Sequence, residues 1–240
     1  MDDLERFIRY HVTSDDVVLD IGANQGLIAN LVSQLAESVY CLEPNAAAFS
    51  ILEKNVTAAK TRLLQFAASD RCGTIDFYLD KRPNMCGVAS SVNVLDDLHQ
   101  QNQAEKVSVQ AVTIDRLCEQ YRIRPTFIKV DVEGYEPAVF RGARETIRRH
   151  RPILVFEFWE SWWNNGFSSL FADLEPYYHL VRIQDGVNVS QVYRSERGDK
   201  TVDIAALPRR AVGRRASWLA RGAVRDWYRS FRGRHVRAAM

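Results

Sequence analysis

The chain carries, at residues 17–26, the segment Val17-Val18-Leu19-Asp20-Ile21-Gly22-Ala23-Asn24-Gln25-Gly26. Apolar and β-branched residues surround Asp20, which predicts a buried parallel strand, and the two glycines that follow predict a tight turn. A helix is expected to begin near Leu27 and to end near Ala36. A strand, a glycine-containing turn and a helix N-terminus together form a site for a nucleotide-like ligand, and Asp20 can hold a polar or cationic part of it.

The spacing of the two glycines distinguishes between classes of nucleotide site. A dinucleotide-binding turn has the pattern G-x-G-x-x-G, and counted from Gly22 its other glycines would fall on Asn24 and Leu27. The pattern present is D-x-G-x-N-x-G, which ends at Gly26. It resembles the cofactor loop of class I S-adenosylmethionine methyltransferases. The alternative is an ordinary α/β turn with surface carboxylates.

Predicted strands and helices alternate along the chain. The predicted strands cover residues 17–21, 38–43, 62–68, 74–79, 107–112, 126 onward, 152–158, 179–183 and 202–206. The predicted helices cover 4–12, 27–36, 46–59 after the cap Asn45, a short stretch after the cap Thr113, 136–149, and a stretch to Tyr177 capped by Ser168 or Ser169. This order predicts an α/β fold with a doubly wound, mostly parallel, Rossmann-like sheet and a C-terminal antiparallel hairpin.

Acidic residues recur where the predicted strands end. Glu43 ends the second strand, 23 residues after Asp20, and its carboxylate can accept hydrogen bonds from both hydroxyls of a ribose. Ser69-Asp70 and Asp131-Val132-Glu133 follow two later strands. Ligands of doubly wound sheets bind beyond the carboxyl ends of the strands, so these residues are expected to converge on one site.

Several of these motifs together resemble the FkbM-type family of S-adenosylmethionine-dependent methyltransferases. The matching pieces are Asp20–Gly26, Glu43-Pro44, Ala68-Ser69-Asp70 with Gly73, Thr113–Leu117, Ile128–Glu136, Gly142-Ala143 and Pro152–Glu157. The match runs from about residue 15 to 160, and its K-x-D-x-E-G-x-E block, Lys129 to Glu136, is the most specific piece. The resemblance implies an O-methyltransferase that acts on sugar or natural-product hydroxyls, with S-adenosylmethionine as its cofactor. The cofactor-binding residues are then expected to be Asp20, Gly22, Asn24, Gly26, Glu43, Ser69 and Asp70.

The candidate catalytic residues are Lys129, Asp131 and Glu133, which share one face of an extended chain. A hydroxyl must lose its proton during methyl transfer, and a carboxylate can accept that proton as a general base. Alternatively, Lys129 and Asp131 form a structural ion pair and Glu133 caps the next helix. Asp131 could also bind a divalent cation, but no second acidic pair is visible downstream, so no metal ligands are predicted. Glu157, at the end of the next strand, is either a further site residue or a surface acid.

Two stretches have less regular patterns. The polar segment 80–105 lacks a clear periodicity and is expected to be a functional or mobile loop. The aromatic stretch 156–163 contains Trp159, Trp162 and Trp163. These rings could form a wall of the acceptor pocket, because sugars stack on indole rings, or they could pack in the core.

The charge of the chain is unevenly distributed. Residues 208–240 hold ten arginines and one acid, Asp226, for a net charge of +9, whereas residues 1–207 hold 22 basic and 29 acidic residues, for −7. This predicts a methyltransferase domain over 1–207 and a basic tail over 208–240. A helical tail would present one apolar stripe, formed by Val212, Ala216, Leu219, Ala223, Trp227 and Phe231. Such a helix suits an anionic membrane surface; RNA binding and a disordered tail are the alternatives, and nucleic acid is not the expected partner.

The composition predicts a cytoplasmic protein, peripheral at the inner membrane face if the tail binds there. No run of about 18 apolar residues predicts a membrane span, and the acidic N-terminus lacks the pattern of a signal peptide. The four cysteines, Cys41, Cys72, Cys86 and Cys118, form no C-x-x-C pair. The expected partner is a small-molecule or glycan acceptor. A different hypothesis is a methyltransferase-like adaptor without activity, which acts through its basic tail.

Overall fold

The structure, a computed structural model, describes residues 2–81, 89–90, 104–159, 166–184, 186 and 201–209. The helices are α1 (Asp3–His11), α2 (Leu27–Leu35), α3 (Ala46–Asn55), α4 (Ile114–Tyr121), α5 (Glu136–Arg141), α6 (Arg144–His150) and α7 (Ser168–Leu174). The strands are β1 (Val17–Ile21), β2 (Ser38–Leu42), β3 (Thr61–Leu64), β4 (Ala67–Ala68), β5 (Gly73–Asp80), β6 (Ala89–Ser90), β7 (Ala104–Val112), β8 (Phe127–Val130), β9 (Ile153–Trp159), β10 (Tyr178–Arg182) and β11 (Thr201–Pro208).

The main sheet contains seven strands in the order β10-β11-β9-β8-β1-β2-β3. Five neighbouring strands of this sheet, β3, β2, β1, β8 and β9, pair in parallel. Strand β11 pairs antiparallel with both β9 and β10. The central strand β1 places Asp20 opposite Cys41 of β2 and Lys129 of β8. The predicted mostly parallel α/β sheet with a C-terminal antiparallel hairpin is therefore confirmed.

Helices cover both faces of this sheet, because alternate residues of its central strands point to opposite sides. Val18 and Phe127 belong to a core shared with α1, α2 and α3, whereas Leu19 and Ile128 belong to a core shared with α4 to α7. Burial on both faces explains why these strands are almost continuously apolar. Asp20 and Lys129 interrupt that pattern, and both are buried.

Side-chain caps begin three of the helices. Asp2 caps α1, Asn45 caps α3 through the N–H of Ala47, and Thr113 caps α4 through the N–H of Arg116. Such caps satisfy backbone N–H groups that have no partner within the helix. The predicted caps Asn45 and Thr113 are confirmed.

Two predicted elements are divided in the structure. The predicted strand 62–68 is interrupted at Phe66, so β3 joins the main sheet while β4 joins a second sheet with the order β4-β7-β5-β6. The predicted helix 136–149 is broken after α5 by Gly142. A Cβ at Gly142 would lie 2.0 Å from the carbonyl oxygen of Ser69, so the chain there packs directly against another backbone segment.

Two helix boundaries also differ from the prediction. Helix α3 ends at Asn55 rather than near residue 59, and the Asn55 side chain donates a hydrogen bond to the carbonyl of Gln25. Helix α7 begins after Phe167, which is completely buried, and within the described residues no side chain caps it. Burial of an aromatic ring, rather than a cap from Ser168 or Ser169, therefore marks where α7 starts.

The C-terminal part of the fold extends slightly beyond the predicted boundary at 207. Strand β11 includes Pro208, and the backbone N–H of Arg209 donates a hydrogen bond to the carbonyl of Tyr177, 2.8 Å away. Most of segment 80–105, together with Trp162, Trp163 and tail residues 210–240, lies outside the described residues. Within the part that is described, no helix is long and apolar enough to cross a membrane.

Candidate active site

The carboxyl ends of β1, β2, β8 and β9 lie along one edge of the sheet, because these four strands are parallel neighbours. The loop Gly22–Gly26 follows β1, and Glu43 follows β2. The turn Asp131–Glu133 follows β8, while Glu157 lies near the end of β9. The strand order therefore brings most of the predicted site residues to a single edge.

Gly22 joins two parts of this edge by direct backbone contact. Its φ is +74°, and a Cβ at this position would lie 1.9 Å from the carbonyl oxygen of Asp131. The N–H groups of Gly22 and Ala23 both donate to the carbonyl of Leu42, at 2.9 and 3.0 Å. Glycine is required here because the loop after β1 touches the turn after β8 with no space for a side chain.

The remainder of the loop has a left-handed backbone at two positions. Asn24 has a φ of +49°, and Gly26 has a φ of +93°. A Cβ at Gly26 would lie 2.7 Å from side-chain carbons of Leu52 and Val56, so α3 packs closely against the loop. Gly26 also precedes α2 without providing a side-chain cap, which leaves the helix N-terminus suited to polar groups of a ligand.

Glu43 is held in place by the backbone on either side of it. Its Oε2 accepts a hydrogen bond from the N–H of Asn24 and its Oε1 accepts one from the N–H of Asn45, each at 2.8 Å. The residue is 6% exposed, and burial raises its pKa, although these hydrogen bonds oppose the shift. Each carboxylate oxygen has a second lone pair, so Glu43 can still accept hydrogen bonds from two hydroxyl groups.

Lys129 lies beneath the loop and connects it to both neighbouring acids. Its Nζ is 3.4 Å from Oδ1 of Asp20 and 3.3 Å from Oδ2 of Asp131, and it donates to the carbonyl of Gly22 at 3.0 Å. Burial would lower the pKa of Lys129, but the charges of Asp131 and Asp20 raise it above its ordinary value. The ammonium group therefore stays protonated, and the alternative of a structural Lys129–Asp131 ion pair is observed.

Asp20 is completely buried behind this lysine. Burial raises its pKa, and the charge of Lys129 opposes that shift. Neither carboxylate oxygen has a hydrogen-bond partner among the described residues. Asp20 therefore lies under the loop and is connected to it through Lys129, whose ammonium donates a hydrogen bond to the carbonyl of Gly22.

The turn after β8 has a left-handed backbone at Glu133, with a φ of +53°, and at Gly134, with a φ of +93°. The side chain of Asp131 is 41% exposed, so it is accessible from the edge of the sheet. Burial and the charge of Asp131 raise the pKa of Glu133 to about 7, against the charge of Lys129.

Glu136, which the sequence analysis did not select, completes this turn. Its Oε1 accepts a hydrogen bond of 2.9 Å from the N–H of Val132. Helix α5 begins after Tyr135, which provides no side-chain cap. Burial raises the pKa of Glu136 to about 8, and the charges of Asp131 and Glu157 contribute to the shift.

A carboxylate cluster lies where β8 and β9 end and the antiparallel strand β11 begins. Oxygens of Asp131, Glu133 and Glu157 all lie within 4.8 Å of one another. Asp203 faces Glu157 across the β9–β11 pair, and burial together with the charge of Asp131 raises its pKa to about 6. Glu157 is therefore part of the site rather than an isolated surface acid.

Ser69 and Asp70 connect the end of β4 to the segment of the chain that follows β8. Ser69 is completely buried, and its Oγ lies 3.0 Å from the hydroxyl oxygen of Tyr135. The guanidinium of Arg141 donates two hydrogen bonds to Oδ2 of Asp70, at 2.9 and 3.2 Å. Partial burial of Asp70 opposes the effect, but Arg141 holds the pKa of this carboxyl below its ordinary value.

The sequence profile of the methyltransferase FkbM domain matches residues 20–182, which span the loop, Glu43 and the carboxylate cluster up to β10. The chain belongs to the FkbM methyltransferase family. The resemblance inferred from the K-x-D-x-E-G-x-E block is thereby confirmed.

Two relatives of this FkbM-family chain are named as methyltransferases. The chain is 26% identical over 156 residues to hexuronic acid methyltransferase AglP of Haloferax volcanii, an alignment that covers 64% of the chain and 60% of AglP. It is 30% identical over 180 residues to 2-O-methyltransferase NoeI of Sinorhizobium fredii. This second alignment covers 70% of the chain and 74% of NoeI. The chain thus spans less than two thirds of AglP.

Solved structures of methyltransferases share the fold of this FkbM-family chain. The methyltransferase FkbM of Methylobacillus flagellatus superimposes with a TM-score of 0.51 at 17% identity, over 82% of this chain and 44% of that protein. An rRNA methylase of Streptococcus thermophilus superimposes with a TM-score of 0.51 at 8% identity, over 85% of this chain and 93% of that protein. At such low identity, these similarities establish the fold alone.

Two acids at this edge of the sheet, Glu136 and Asp203, were not predicted as site residues from the sequence, although each had a signal. Glu136 ends the K-x-D-x-E-G-x-E block, and its acidic side chain at the start of an otherwise apolar helix indicated a buried role. Asp203 interrupts the apolar strand β11, and an acid in such a strand indicates a specific role because burial of a charged group is costly. Periodicity alone could not show that β11 pairs with β9 and so brings Asp203 opposite Glu157.

Proposed function

We propose that this chain is an S-adenosylmethionine-dependent O-methyltransferase that acts on a hydroxyl group of a sugar or glycan. The observation that carries the proposal is the backbone contact between Gly22 and Asp131, because it joins the predicted cofactor loop to the acidic turn. A donor held at the loop and an acceptor held at the turn would then be neighbours. Holding two reactants in the right geometry can lower a barrier by roughly 7–11 kcal/mol.

The residues around the loop fit the adenosine part of this cofactor. Glu43 offers a carboxylate that two backbone N–H groups keep at the end of β2, so little ordering is needed when ribose hydroxyls bind. Gly22 and Gly26 keep the loop close to neighbouring backbone and side chains. Ser69 and Asp70 are proposed to border the same part of the cofactor site.

The cofactor supplies a methyl group on a positively charged sulfur, which makes that carbon electrophilic. An acceptor hydroxyl that takes this methyl group would have to lose its proton, so the site needs a group that can accept the proton. We assign the acceptance of this proton to Glu133, with Asp131 beside it, because both carboxylates lie at the turn that contacts the loop. Lys129 positions Asp131 and the loop through its contacts with Asp131 and Gly22.

The name of AglP supports a sugar acid as the acceptor, and the name of NoeI supports transfer to an oxygen atom. AglP is named as a hexuronic acid methyltransferase and NoeI as a 2-O-methyltransferase. Both names are compatible with a carboxylate that accepts a proton from a hydroxyl group. The alternative hypothesis of an inactive adaptor expected Asp131 or Glu133 to point away from the site, yet oxygens of both lie within 4.8 Å of Glu157.

Calorimetry with the full chain provides the first test. S-adenosylmethionine should bind in a saturable manner, whereas NAD should not, because the loop lacks the glycine pattern of a dinucleotide site. Transfer of a radiolabelled methyl group to uronic acids, neutral hexoses and their oligosaccharides then tests the acceptor class. Binding of NAD but not S-adenosylmethionine would contradict the proposal, and labelling of nitrogen or carbon atoms would contradict the assignment as an O-methyltransferase.

A further inference from the structure

The carboxylate cluster has the arrangement of a cation site. Asp131 and Glu133 lie on the turn after β8, and Glu157 lies on the neighbouring strand β9, so two separate segments supply the oxygens. One oxygen from each residue lies within 4.8 Å of the others. Oxygens that bind one Ca²⁺ or Mg²⁺ from opposite sides are about 4 to 5 Å apart, so three such oxygens can share a single cation.

A second and independent observation concerns Glu136. Its side chain is completely buried, and its Oε1 is occupied by the N–H of Val132, the residue between Asp131 and Glu133. This hydrogen bond places the Glu136 carboxyl against the turn of the cluster. Its Oε2 has no hydrogen-bond partner among the described residues. A buried carboxylate oxygen without a partner is costly, and a nearby cation would offset that cost.

Lys129 does not supply this cation. Its ammonium is shared by Asp20 and Asp131, and it also donates a hydrogen bond to the carbonyl of Gly22. Two of these three contacts are with Asp20 of β1 and Gly22 of the loop, and only the third, with Asp131, is with the carboxylate cluster. Glu157 and Glu136 belong instead to β9 and α5.

We propose that Asp131, Glu133 and Glu157 bind a divalent cation of the hard, oxygen-preferring class, such as Mg²⁺, Mn²⁺ or Ca²⁺. Each carboxylate gives one oxygen to the cation, and the buried carboxyl of Glu136 lies behind the turn, with an Oε2 that has no hydrogen-bond partner among the described residues. A carboxylate bound through one oxygen keeps the other, so Glu133 can still accept the proton of the acceptor. The role of the cation in orienting the acceptor hydroxyl rests on the proposed function, but the cation site itself does not.

The test is a titration of the chelator-treated full chain with MnCl₂, in which bound Mn²⁺ is measured by the loss of the free-ion electron paramagnetic resonance signal. We expect one saturable site, from which Mg²⁺ or Ca²⁺ displaces Mn²⁺. Glu157→Gln should weaken Mn²⁺ binding by about tenfold or more, since even the outer partners of a metal ligand contribute that much. Glu119→Gln is the matched control, because Glu119 lies on α4 with a side chain that is 73% exposed.

The readout does not depend on methyl transfer, so the two proposals can fail separately. Absence of saturable Mn²⁺ binding by the wild-type chain, or equal binding by Glu157→Gln, would overturn the cation site. Methyl transfer in excess chelator by a chain that binds no Mn²⁺ would refute the cation site and leave the proposed function intact. If circular dichroism shows that Glu157→Gln does not fold, Asp131→Asn and Glu133→Gln make the same comparison.

Discussion

The two halves of the candidate site differ in what surrounds their carboxylates. On the loop side, after β1 and β2, the carboxylate of Glu43 accepts one backbone N–H on each oxygen. On the acid side, after β8 and beside β9, carboxylates of Asp131, Glu133 and Glu157 lie within 4.8 Å of one another. Backbone donors are fixed by the fold, whereas neighbouring carboxylates repel each other and favour a bound proton or cation.

This difference separates the tasks of the two halves. A carboxylate already held by backbone groups binds a neutral, hydroxyl-rich ligand with little rearrangement, as a cofactor site requires. On the acid side, burial together with the charge of Asp131 raises the pKa of Glu133 to about 7, so this group can exchange a proton near neutrality. We infer that the loop side binds and that the acid side reacts. Five substitutions and one deletion, apart from the control variants, can break or sharpen this division.

The largest effect is expected where the two halves touch. Gly22→Ala would place a Cβ 1.9 Å from the carbonyl oxygen of Asp131, which is a backbone atom directly after β8 and cannot move aside as the end of a flexible side chain could. We expect a loss of about 3 kcal/mol or more in the free energy of unfolding, together with weaker cofactor binding and slower turnover. Denaturant titration measures the first effect.

Gly73→Ala is the matched control for that substitution. Gly73 also has a positive φ, +125°, but nothing lies within 4 Å of the position of its Cβ. The free energy of unfolding of Gly73→Ala should therefore fall only by the cost of the backbone conformation, about 1–3 kcal/mol. If both alanine variants lose the same free energy of unfolding, backbone strain explains the effect at Gly22, and the contact between the two halves does not.

Glu133→Gln should affect turnover and leave cofactor affinity nearly unchanged. The substitution keeps the size of the side chain but removes its ability to accept a proton, which should lower kcat by about 10²-fold or more. The measurement is a steady-state methyl-transfer assay beside calorimetry with the cofactor, with Glu119→Gln as the control. Full turnover by Glu133→Gln would remove Glu133 from the proton-transfer step.

The loop side was easier to predict from the sequence than the acid side, because its signals are local. The spacing from Asp20 to Gly26 and the acid Glu43 at the next strand end lie within 24 residues of one another. The partnership of Glu157 with Asp131 depends instead on β9 pairing with β8, and the approach of Asp203 depends on β11 lying between β9 and β10. Strand order is a property of the whole chain, so neither contact follows from spacing.

Glu43→Ala tests the loop side alone. The substitution removes a charged acceptor for two ribose hydroxyls and also frees the N–H groups of Asn24 and Asn45, at a cost of about 1.5–3 kcal/mol. Calorimetry should show that cofactor affinity falls about tenfold or more while the protein remains folded. Glu53→Ala, at an exposed position of α3, is the control. An unchanged dissociation constant for Glu43→Ala would place the ribose elsewhere.

A smaller, pH-dependent effect is expected for the ion pair between Asp70 and Arg141, which connects the end of β4 to α5. Because the folded-state pKa of Asp70 is lowered, the pair contributes stability above the ordinary pKa of an aspartate and loses it as pH falls through the lowered value. The pair is partly exposed, so its contribution should be about 0.5 kcal/mol. Denaturant titrations of the wild type, Arg141→Met, Asp70→Asn and the double variant measure this coupling. A coupling energy that persists at acid pH would contradict the assignment.

The smallest effect on catalysis is expected from the basic tail, because both halves of the site belong to the body that extends at least to Arg209. Deletion of residues 210–240 should leave methylation of a soluble acceptor unchanged. The same deletion removes nine arginines and one acid, and each basic residue near an anionic surface contributes about 1 kcal/mol to attachment. Full-length protein should therefore sediment with anionic vesicles, less so at high salt, and the truncated protein should not. Equal sedimentation of the two forms, or tighter binding of the full chain to RNA than to anionic vesicles, would defeat the membrane hypothesis.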